Sequence, residues 1–406
     1  MADVAVLEVV LPDRVVGTLT RLPDDRNVFV FDPAYVESAE RETLSLSFKD
    51  AFGQLITGVP ATQTRLPAFF SNLLPEGPLR DYLAQRAGVK AQREFFLAGV
   101  LGRDLPGGVQ IVPRDGDSLP PDTEEERLAR KRTGAALRFS LAGVQLKFSA
   151  VQRATGGLTV PADGVGGSWI VKLPSPRFAG VPENEFAMMD LARHVGIEVP
   201  ETRLVPVSDI QNIPAGIELV GDQAFAVKRF DRAPDGRRIH MEDFAQVFGV
   251  YPEKKYERAS YRNLARVLWI ETGEAGIVEL IRRLVFNALI GNADMHLKNW
   301  SLIYPDGRAA RLSPAYDYVS TIAYLPDDAM ALKLVDSKRF ESLTFEQFTR
   351  LAAKAGLPEK ITLDTARETV DSFRSVWRSF DSNALDDKVR RAIDKHLTTV
   401  PLWTAA

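Results

Sequence analysis

The sequence predicts an α+β protein in two lobes: a β-rich lobe that carries an added N-terminal subdomain, and a mainly α-helical C-terminal lobe. Short β-type segments separated by Pro, Asp and Gly extend to about residue 228, and helical patterns dominate after it. The densest polar motifs lie near the junction of these two regions. At 406 residues the chain exceeds the size at which one hydrophobic core keeps growing, which favours two or three domains.

The composition is that of an ordinary globular protein, with 45% hydrophobic and 26% charged residues. The lack of cysteine excludes disulfides, thiolate zinc sites and cysteine nucleophiles, and it fits a cytoplasmic location. With four histidines a His-rich metal site is not expected, whereas a magnesium site with oxygen ligands remains open. The net charge of −3 argues against coating nucleic acid by bulk charge. No apolar run reaches the roughly 18 residues of a membrane span, and no membrane partner is expected.

The N-terminal subdomain is expected over residues 1–113, followed by a polar linker over residues 114–132 that contains two prolines and three consecutive glutamates. Period-two patterns predict strands at residues 4–10, 17–22 and 28–31. Helical patterns predict helices at residues 66–74, 79–87 and 94–101.

The small β lobe is expected over residues 133–228 and the helical lobe over residues 229–406. In the small lobe the patterns predict strand, turn and strand at 138–149, a strand at 169–173, a helix from Pro182 to about residue 195, and a hairpin of 217–220 with 224–228. In the helical lobe they predict helices at 241–248, 261–272 and 275–290, and a hairpin of 300–304 with 309–312.

The most informative motif is residues 291–299, between a buried helix and a strand. Phosphoryl transfer needs a carboxylate to orient the attacking hydroxyl and an oxygen ligand for a metal that bridges the phosphates. Protein kinases supply them from an Asp and an Asn five residues later, which is the spacing of Asp294 and Asn299. Asp317 follows 18 residues beyond Asn299, where a second magnesium ligand is needed. An ordinary helix-to-strand connection explains these residues about equally well.

Two lysines and the segment that joins the lobes are further candidates. Lys147 follows a small-residue turn that can present backbone N–H groups to phosphate, although a plain hairpin explains it too. Lys172 ends an apolar strand, where kinases place a phosphate-binding lysine, and Glu185 on the next helix is its candidate partner. A snorkelling lysine and a helix N-terminal acid are an equal alternative. In the joining segment, 225–232, Phe230 is a candidate to stack on a base, or simply packs the lobes together.

Together these motifs resemble the HipA family, the serine/threonine-kinase toxins of bacterial HipBA toxin–antitoxin modules. Residues 70–77 are similar to the family's N-terminal signature, residues 140–147 to its phosphate loop, residues 291–301 to its catalytic loop and residues 312–317 to its second metal motif. The resemblance covers nearly the whole chain. It implies a bilobal protein-kinase-like fold of the phosphoinositide-kinase type.

The resemblance also implies roles for individual residues, with ATP and Mg²⁺ as cofactors. Asp294 is the expected catalytic base, Asn299 and Asp317 are the expected magnesium ligands, and Ser140 is the expected site of inactivating autophosphorylation. The expected nucleotide contacts are Ala142, Gly143, Val144, Gln145, Leu146, Lys147, Lys172, Lys228, Arg229, Phe230, His296, Leu297, Lys298, Asn299, Tyr316 and Asp317. Lys228 stands where some members of the family carry an acidic residue, so its expected contact with adenine is through the backbone.

The implied partners are a small helix-turn-helix antitoxin like HipB, operator DNA reached through it, and a protein substrate. In the best-known members the substrate is an aminoacyl-tRNA synthetase, and its phosphorylation arrests growth and promotes persistence. Phosphate-backbone contacts to DNA are expected from Lys333, Lys338 and Arg339, a group that otherwise is a solvated face.

Three other functions compete with this expectation. A kinase of lipids or small molecules would share the lobes, but the chain has no basic amphipathic stretch. A binding module that acts only as a co-repressor would be indicated by a degenerate catalytic loop, yet Asp294, Asn299 and Asp317 are all present. Metal-dependent hydrolysis through Asp294, His296 and Asp317 lacks a second histidine in these motifs.

Overall fold

The computed structural model describes residues 5–12, 14–114, 147–152, 157–160, 166–175, 177–213 and 221–405. In these ranges the strands are β1 (Ala5–Leu11), β2 (Arg14–Arg21), β3 (Arg26–Phe31), β4 (Thr62–Gln63), β5 (Gln110–Pro113), β6 (Lys147–Gln152), β7 (Leu158–Thr159), β8 (Trp169–Lys172), β9 (Thr202–Pro206), β10 (Ile210–Gln211), β11 (Gln223–Lys228), β12 (His240–Asp243), β13 (Ser301–Tyr304) and β14 (Arg311–Leu312).

The helices in the same ranges are α1 (Pro33–Glu37), α2 (Ala68–Ser71), α3 (Gly77–Ala87), α4 (Glu94–Leu101), α5 (Val181–His194), α6 (Phe244–Val247), α7 (Tyr261–Leu289), α8 (Phe345–Ala355), α9 (Glu359–Ser379), α10 (Asp387–Leu397) and α11 (Pro401–Thr404). None of these helices combines the length and the apolar character that a membrane crossing requires.

The N-terminal subdomain is built on an antiparallel sheet in the order β4-β3-β2-β1-β5. Alternate residues of β1 are buried, as its period of two predicts, and they belong to the same core as Phe29 and Phe70, whose rings lie 4.8 Å apart. The three predicted strands and the helices near 79–87 and 94–101 are confirmed. The helix predicted at 66–74 is limited to α2, and the chain continues beyond it in turns, in which Leu73 N donates to Phe70 O at 3.1 Å and Leu74 N to Ser71 O at 3.2 Å.

A second sheet, in the order β10-β7-β6-β8-β11-β9, forms the small lobe, and α5 packs against β11 and β9. The strand near 169–173 and the helix from Pro182 are confirmed. The predicted pairing of residues 224–228 within a local hairpin is wrong, because β11 pairs with β8 along one edge and with β9 along the other. Residues 217–220 lie outside the described residues. β11 therefore pairs with strands that lie earlier in the sequence, and not with the segment directly before it.

The helical lobe is organised around α7, against which α8 and α9 pack. The break predicted between residues 272 and 275 is confirmed at Gly273, whose φ of 63° lies in the left-handed region that glycine adopts without steric cost. The hairpin near residues 300–312 is confirmed as β13 and β14. The helix predicted at 241–248 is wrong in its first half, because His240–Asp243 forms β12 and pairs with β13. Within the predicted segment only α6 is helical, and the Asp243 side chain caps the N-terminus of this helix.

The hydrophobic core falls into two clusters. One includes Phe70 of the N-terminal subdomain together with Phe148 and Val171 of the second sheet, so these two regions share a core. The other fills the helical lobe and covers α5. The domain boundaries at residues 113, 132 and 228 remain predictions.

A buried ionic cluster ties the N-terminal subdomain to the segment between the lobes. The Arg229 guanidinium donates to Asp104 at 3.0 Å and to Asp231 at 2.8 Å, and Arg232 donates to Asp104 at 2.7 Å. Gly107 N donates to the Asp231 carboxylate at 2.7 Å. Burial opposes ionisation of Asp231, but the two arginines outweigh it and hold its pKa well below the usual range. The cluster fixes the interlobe segment against the N-terminal subdomain.

We expect Asp104→Asn to lower the free energy of unfolding by about 3 kcal/mol, since removing one partner of a buried ion pair leaves a charge without compensation. The Asp104 side chain is 0% exposed, and it lies against the Arg229 and Arg232 side chains, which are 1% and 8% exposed. Urea denaturation followed by tryptophan fluorescence measures the shift.

The matched control for this prediction is Asp235→Asn. Its carboxylate lies 3.9 Å from Arg237 in an exposed pair, and exposed pairs contribute little to stability. An equal shift of the denaturation midpoint in both variants would show that the buried cluster adds no particular stability.

Candidate active site

A cleft with a volume of about 1030 Å³ lies between the second sheet and the helical lobe. Its walls include Lys172 from β8, Glu185 from α5, Asp294 and Asn299 from the loop after α7, and Asp317 from the segment after β14. The structure therefore brings together the charged and polar residues that the sequence singled out in three separate motifs.

Lys172 connects two carboxylates at the base of the cleft. Its ammonium forms ion pairs with Glu185 and with Asp317, and the lysine is 6% exposed. Burial alone would lower the pKa of Lys172, but Asp317 and Glu185 outweigh burial and raise it. For Asp317 burial is likewise outweighed by Lys172, so its pKa lies well below the usual range. This lysine is charged because it has partners, which excludes the alternative of a snorkelling edge-strand lysine.

Asp317 has an unusual backbone. Its φ of 59° lies in the left-handed region, which aspartate tolerates better than most residues, although at some cost. The Asn292 side chain donates to the Asp317 carbonyl at 3.3 Å and to Asn287 Oδ1 at 2.9 Å. Asn292 Oδ1 in turn accepts from Asp294 N at 3.0 Å. Asn292, to which the sequence analysis assigned no role, thus links the loop that carries Asp294 to the segment that carries Asp317.

The loop over residues 291–299 begins where α7 ends. Gly291 turns the chain with a φ of 64°, and a Cβ at this position would lie 2.2 Å from Ile322 Cγ1, so no larger residue fits. Asp294 follows, and the loop closes in a short 3₁₀ turn, Leu297–Asn299, before β13. Asn299 Nδ2 donates to the Asp294 carbonyl at 2.9 Å, which leaves Asn299 Oδ1 as the atom available to a metal.

Three further titratable groups shape the charge of the cleft. Lys147 pairs in register with Lys172 across β6 and β8. Burial lowers the pKa of Lys147 to about 8, and the Asp317 carboxylate offsets this only in part. Burial also lowers the pKa of His296 to about 3, so its imidazole is neutral near pH 7. Partial burial in the cleft raises the pKa of Asp294.

Tyr316 and Phe230 form an aromatic wall, with ring centroids 5.7 Å apart, and both line the cleft. The Tyr316 hydroxyl contacts Ser301 Oγ at 2.5 Å and donates to the Lys298 carbonyl at 3.0 Å. This wall is the surface on which a planar base can stack.

Other predicted nucleotide contacts have their side chains committed elsewhere. Leu297 is fully buried in the helical-lobe core, and the Arg229 guanidinium belongs to the ionic cluster described above. Lys228 Nζ lies 3.2 Å from Glu201 at the surface. The N–H groups of Lys228 and Arg229 donate to Glu201 O and Ser168 O, both at 2.9 Å, so neither is an open donor for adenine. Ser140 and residues 142–146 lie outside the described residues.

The three residues predicted to contact DNA are in different environments. Lys333 and Arg339 are exposed, and Arg339 lies 3.3 Å from Glu341. Lys338 instead lines the cleft, and its ammonium donates to the Tyr256 carbonyl at 3.1 Å. The side chain of Lys338 therefore faces the candidate active site.

The N-terminal subdomain supplies an acid that the sequence interpretation did not assign to the site. Glu76 forms ion pairs with Lys298 at 2.8 Å and Lys255 at 2.9 Å. Burial opposes its ionisation, but the two lysines lower the pKa of Glu76 to about 2. Lys298 also donates to the Asn72 carbonyl at 3.0 Å. The motif at 70–77 contained this acid, yet only the fold shows that it reaches the lysine next to Asn299.

The chain is similar in sequence and in fold to known proteins. The sequence models of the HipA N-terminal domain and the HipA-like C-terminal domain match residues 7–112 and 139–377. The protein Y4dM of Sinorhizobium fredii is 55% identical over 407 residues, which cover 99% of each chain. The serine/threonine-protein kinase toxin HipA of Shewanella oneidensis is 27% identical over 340 residues, 74% of each chain. The structure of a Shewanella oneidensis HipA, HipB and operator DNA complex matches with a TM-score of 0.71, 23% identity, and 98% and 96% coverage.

A β-rich lobe and a helical lobe around a cleft with these residues define a bilobal protein of the protein-kinase-like class. The chain belongs to the HipA family of serine/threonine-kinase toxins, as its motifs predicted.

Proposed function

We propose that this protein is an ATP- and Mg²⁺-dependent serine/threonine protein kinase and the toxin of a HipBA-type module. The observation that carries the proposal is the convergence of the Lys172–Glu185 pair, Asp317 and the Asp294–Asn299 loop on one cleft. Phosphoryl transfer depends almost entirely on positioning and charge stabilisation, and these are the groups that supply both in kinases.

The residues present suit the nucleotide and the metal. Asn299 Oδ1 and the Asp317 carboxylate are the hard oxygen ligands that Mg²⁺ prefers, and they would hold it beside Lys172. When bound, the metal neutralises charge on the phosphates. Lys172 contacts the phosphates, Phe230 and Tyr316 pack against the base, and Asp294 orients the acceptor hydroxyl and accepts its proton.

Lys147 gives a pH dependence to nucleotide binding in this proposal. Its pKa in the free protein is about 8, and a bound phosphate stabilises the protonated form. The affinity for Mg-ATP is therefore full below pH 8 and falls as the pH rises above it, by up to about tenfold per unit. Isothermal titration calorimetry between pH 7 and 9.5 measures this loss.

Lys147→Met should bind Mg-ATP more weakly at pH 7 and lose the decline above pH 8. Lys360→Met is the control, since this exposed lysine pairs with Asp364 on α9 and should retain the parent profile. A parent affinity that is constant to pH 9.5 would exclude contact between Lys147 and the phosphates.

The proposed acceptor is a protein, and by family resemblance an aminoacyl-tRNA synthetase whose phosphorylation arrests growth in the cytoplasm and promotes persistence. Label from γ-labelled ATP should enter proteins of a bacterial lysate and not the lipid extract of the same cells. Transfer confined to the lipid extract would replace this function by that of a lipid kinase.

Regulation follows from the same resemblance. Ser140 is proposed as the autophosphorylation site, because nearly two negative charges next to a phosphate loop would repel ATP. Mass spectrometry of this protein, recovered after the labelling experiment, detects the phosphate on Ser140.

A helix-turn-helix antitoxin is the proposed partner, and operator DNA is reached through it. Lys333 and Arg339 are the exposed cations that support direct contacts to DNA phosphates. The Lys338 ammonium can contact DNA only after its hydrogen bond to the Tyr256 carbonyl is broken.

A further inference from the structure

A tyrosine outside every motif of the sequence lies against the expected catalytic base. Tyr256 precedes α7, and its hydroxyl donates to Asp294 Oδ1 at 2.5 Å. The tyrosine is 37% exposed, so the contact lies at the wall of the cleft and not inside the hydrophobic core.

Two contacts and the anchoring of its neighbour hold Tyr256 in place. Its ring lies edge-on to His296, with centroids 4.9 Å apart. Its carbonyl accepts from Lys338 at 3.1 Å. Its neighbour Lys255 is 7% exposed and pairs with Glu76 of the N-terminal subdomain. The ring, the backbone carbonyl and the adjacent residue are therefore all held, which keeps the Tyr256 hydroxyl next to Asp294.

A carboxylate has two oxygens, and it rotates freely unless one of them is held. A tyrosine hydroxyl is a donor at neutral pH, and a hydrogen bond to a charged group is worth more than one between neutral groups. With Oδ1 bound by Tyr256, the second oxygen of Asp294 is left for the acceptor hydroxyl. In catalytic sites a base is usually oriented by a third group in this way.

We propose that Tyr256 is a positioning residue, which fixes the Asp294 carboxylate so that its free oxygen faces the acceptor hydroxyl. This inference rests on the proposed kinase function. The segment before α7 is anchored on the N-terminal subdomain through the Lys255–Glu76 ion pair. In this proposal the same segment orients the base through Tyr256.

The test is Tyr256→Phe in the full chain, which removes one oxygen atom and keeps the ring against His296. At saturating Mg-ATP, label transfer to proteins of a heat-inactivated lysate should fall about 10- to 100-fold, the value of a hydrogen bond to a charged group. The Mg-ATP affinity by calorimetry and the Tm should stay at the parent values. A residue with a merely structural role would not separate the turnover rate from binding and stability.

Tyr261→Phe is the matched control. The Tyr261 hydroxyl donates at 3.0 Å to the carbonyl of Met295 in the same loop and is buried, so its loss should lower Tm, with a smaller effect on transfer than Tyr256→Phe. An unchanged rate in Tyr256→Phe would overturn the proposal. A faster rate would also overturn it, because the phenol would then compete with the acceptor. If the parent protein transfers no label, the kinase function itself fails and this inference with it.

Discussion

Asp294→Asn is expected to lower phosphotransfer by about three orders of magnitude, because in kinases most of the catalysis comes from positioning and charge stabilisation. The substitution keeps the shape of the side chain but removes the carboxylate that is proposed to orient the acceptor hydroxyl and accept its proton. The affinity for Mg-ATP should remain close to that of the parent, since Asp294 is not among the proposed metal ligands. Initial rates of label transfer and calorimetric titration with Mg-ATP measure the two quantities.

The control for this variant is Asp328→Asn. Asp328 also lines the cleft, but its carboxylate accepts a hydrogen bond from the adjacent Ala329 N–H at 2.9 Å. It should keep most of the transfer activity. Comparable losses in both variants would mean that any change of charge in the cleft impairs the enzyme, and that Asp294 has no special role.

Asp317→Asn is expected to remove phosphotransfer as completely and to weaken Mg-ATP binding as well. Asparagine tolerates the left-handed backbone that Asp317 adopts, so the substitution removes the charge without new backbone strain. It leaves a weaker ligand at the proposed magnesium site, and among the described residues Lys172 keeps Glu185 as its ion-pair partner. Calorimetric titration should show an affinity lower by about tenfold or more, which is the cost of one lost charge-assisted contact.

Asp306→Asn serves as the control for Asp317→Asn. Its carboxylate caps the turn between β13 and β14 by accepting from Arg308 N and Ala309 N at 2.9 and 2.8 Å, and it is exposed. Binding and transfer should match the parent. The two cleft variants thus differ in a diagnostic way, since Asp294→Asn should lose transfer alone and Asp317→Asn should lose both. Normal Mg-ATP affinity in Asp317→Asn would contradict its assignment as a metal ligand.

The residues proposed for catalysis could be singled out from the sequence because each lies in a short local motif. Asp294 and Asn299 are five residues apart on one loop, and Lys172 is a charge at the end of an apolar strand, a placement that calls for a partner. Glu185 was the candidate partner of Lys172 because it lies near the start of the helix that follows this strand. Period-two and helical patterns also predicted most strands and helices, since these depend on which local face is buried.

The rest of the site depends on contacts between distant segments. Glu76 is 179 residues from Lys255, and Asp104 is 125 residues from Arg229, so no spacing rule connects them. Tyr256 is 38 residues from Asp294, in a turn that has no pattern of its own. The same limit explains the wrong prediction for β12, whose residues 240–243 are extended only because β13 pairs with them.

The most direct test of the central claim is transfer of label from γ-labelled ATP, with magnesium present, to proteins of a heat-inactivated bacterial lysate by the purified full chain. The heat step removes other kinases, so transfer depends on the added protein, and Asp294→Asn at equal concentration is the reference. We predict magnesium-dependent incorporation by the parent and about a thousandfold less by the variant. Equal incorporation by the two proteins, or none by the parent at any concentration, would contradict a kinase centred on Asp294.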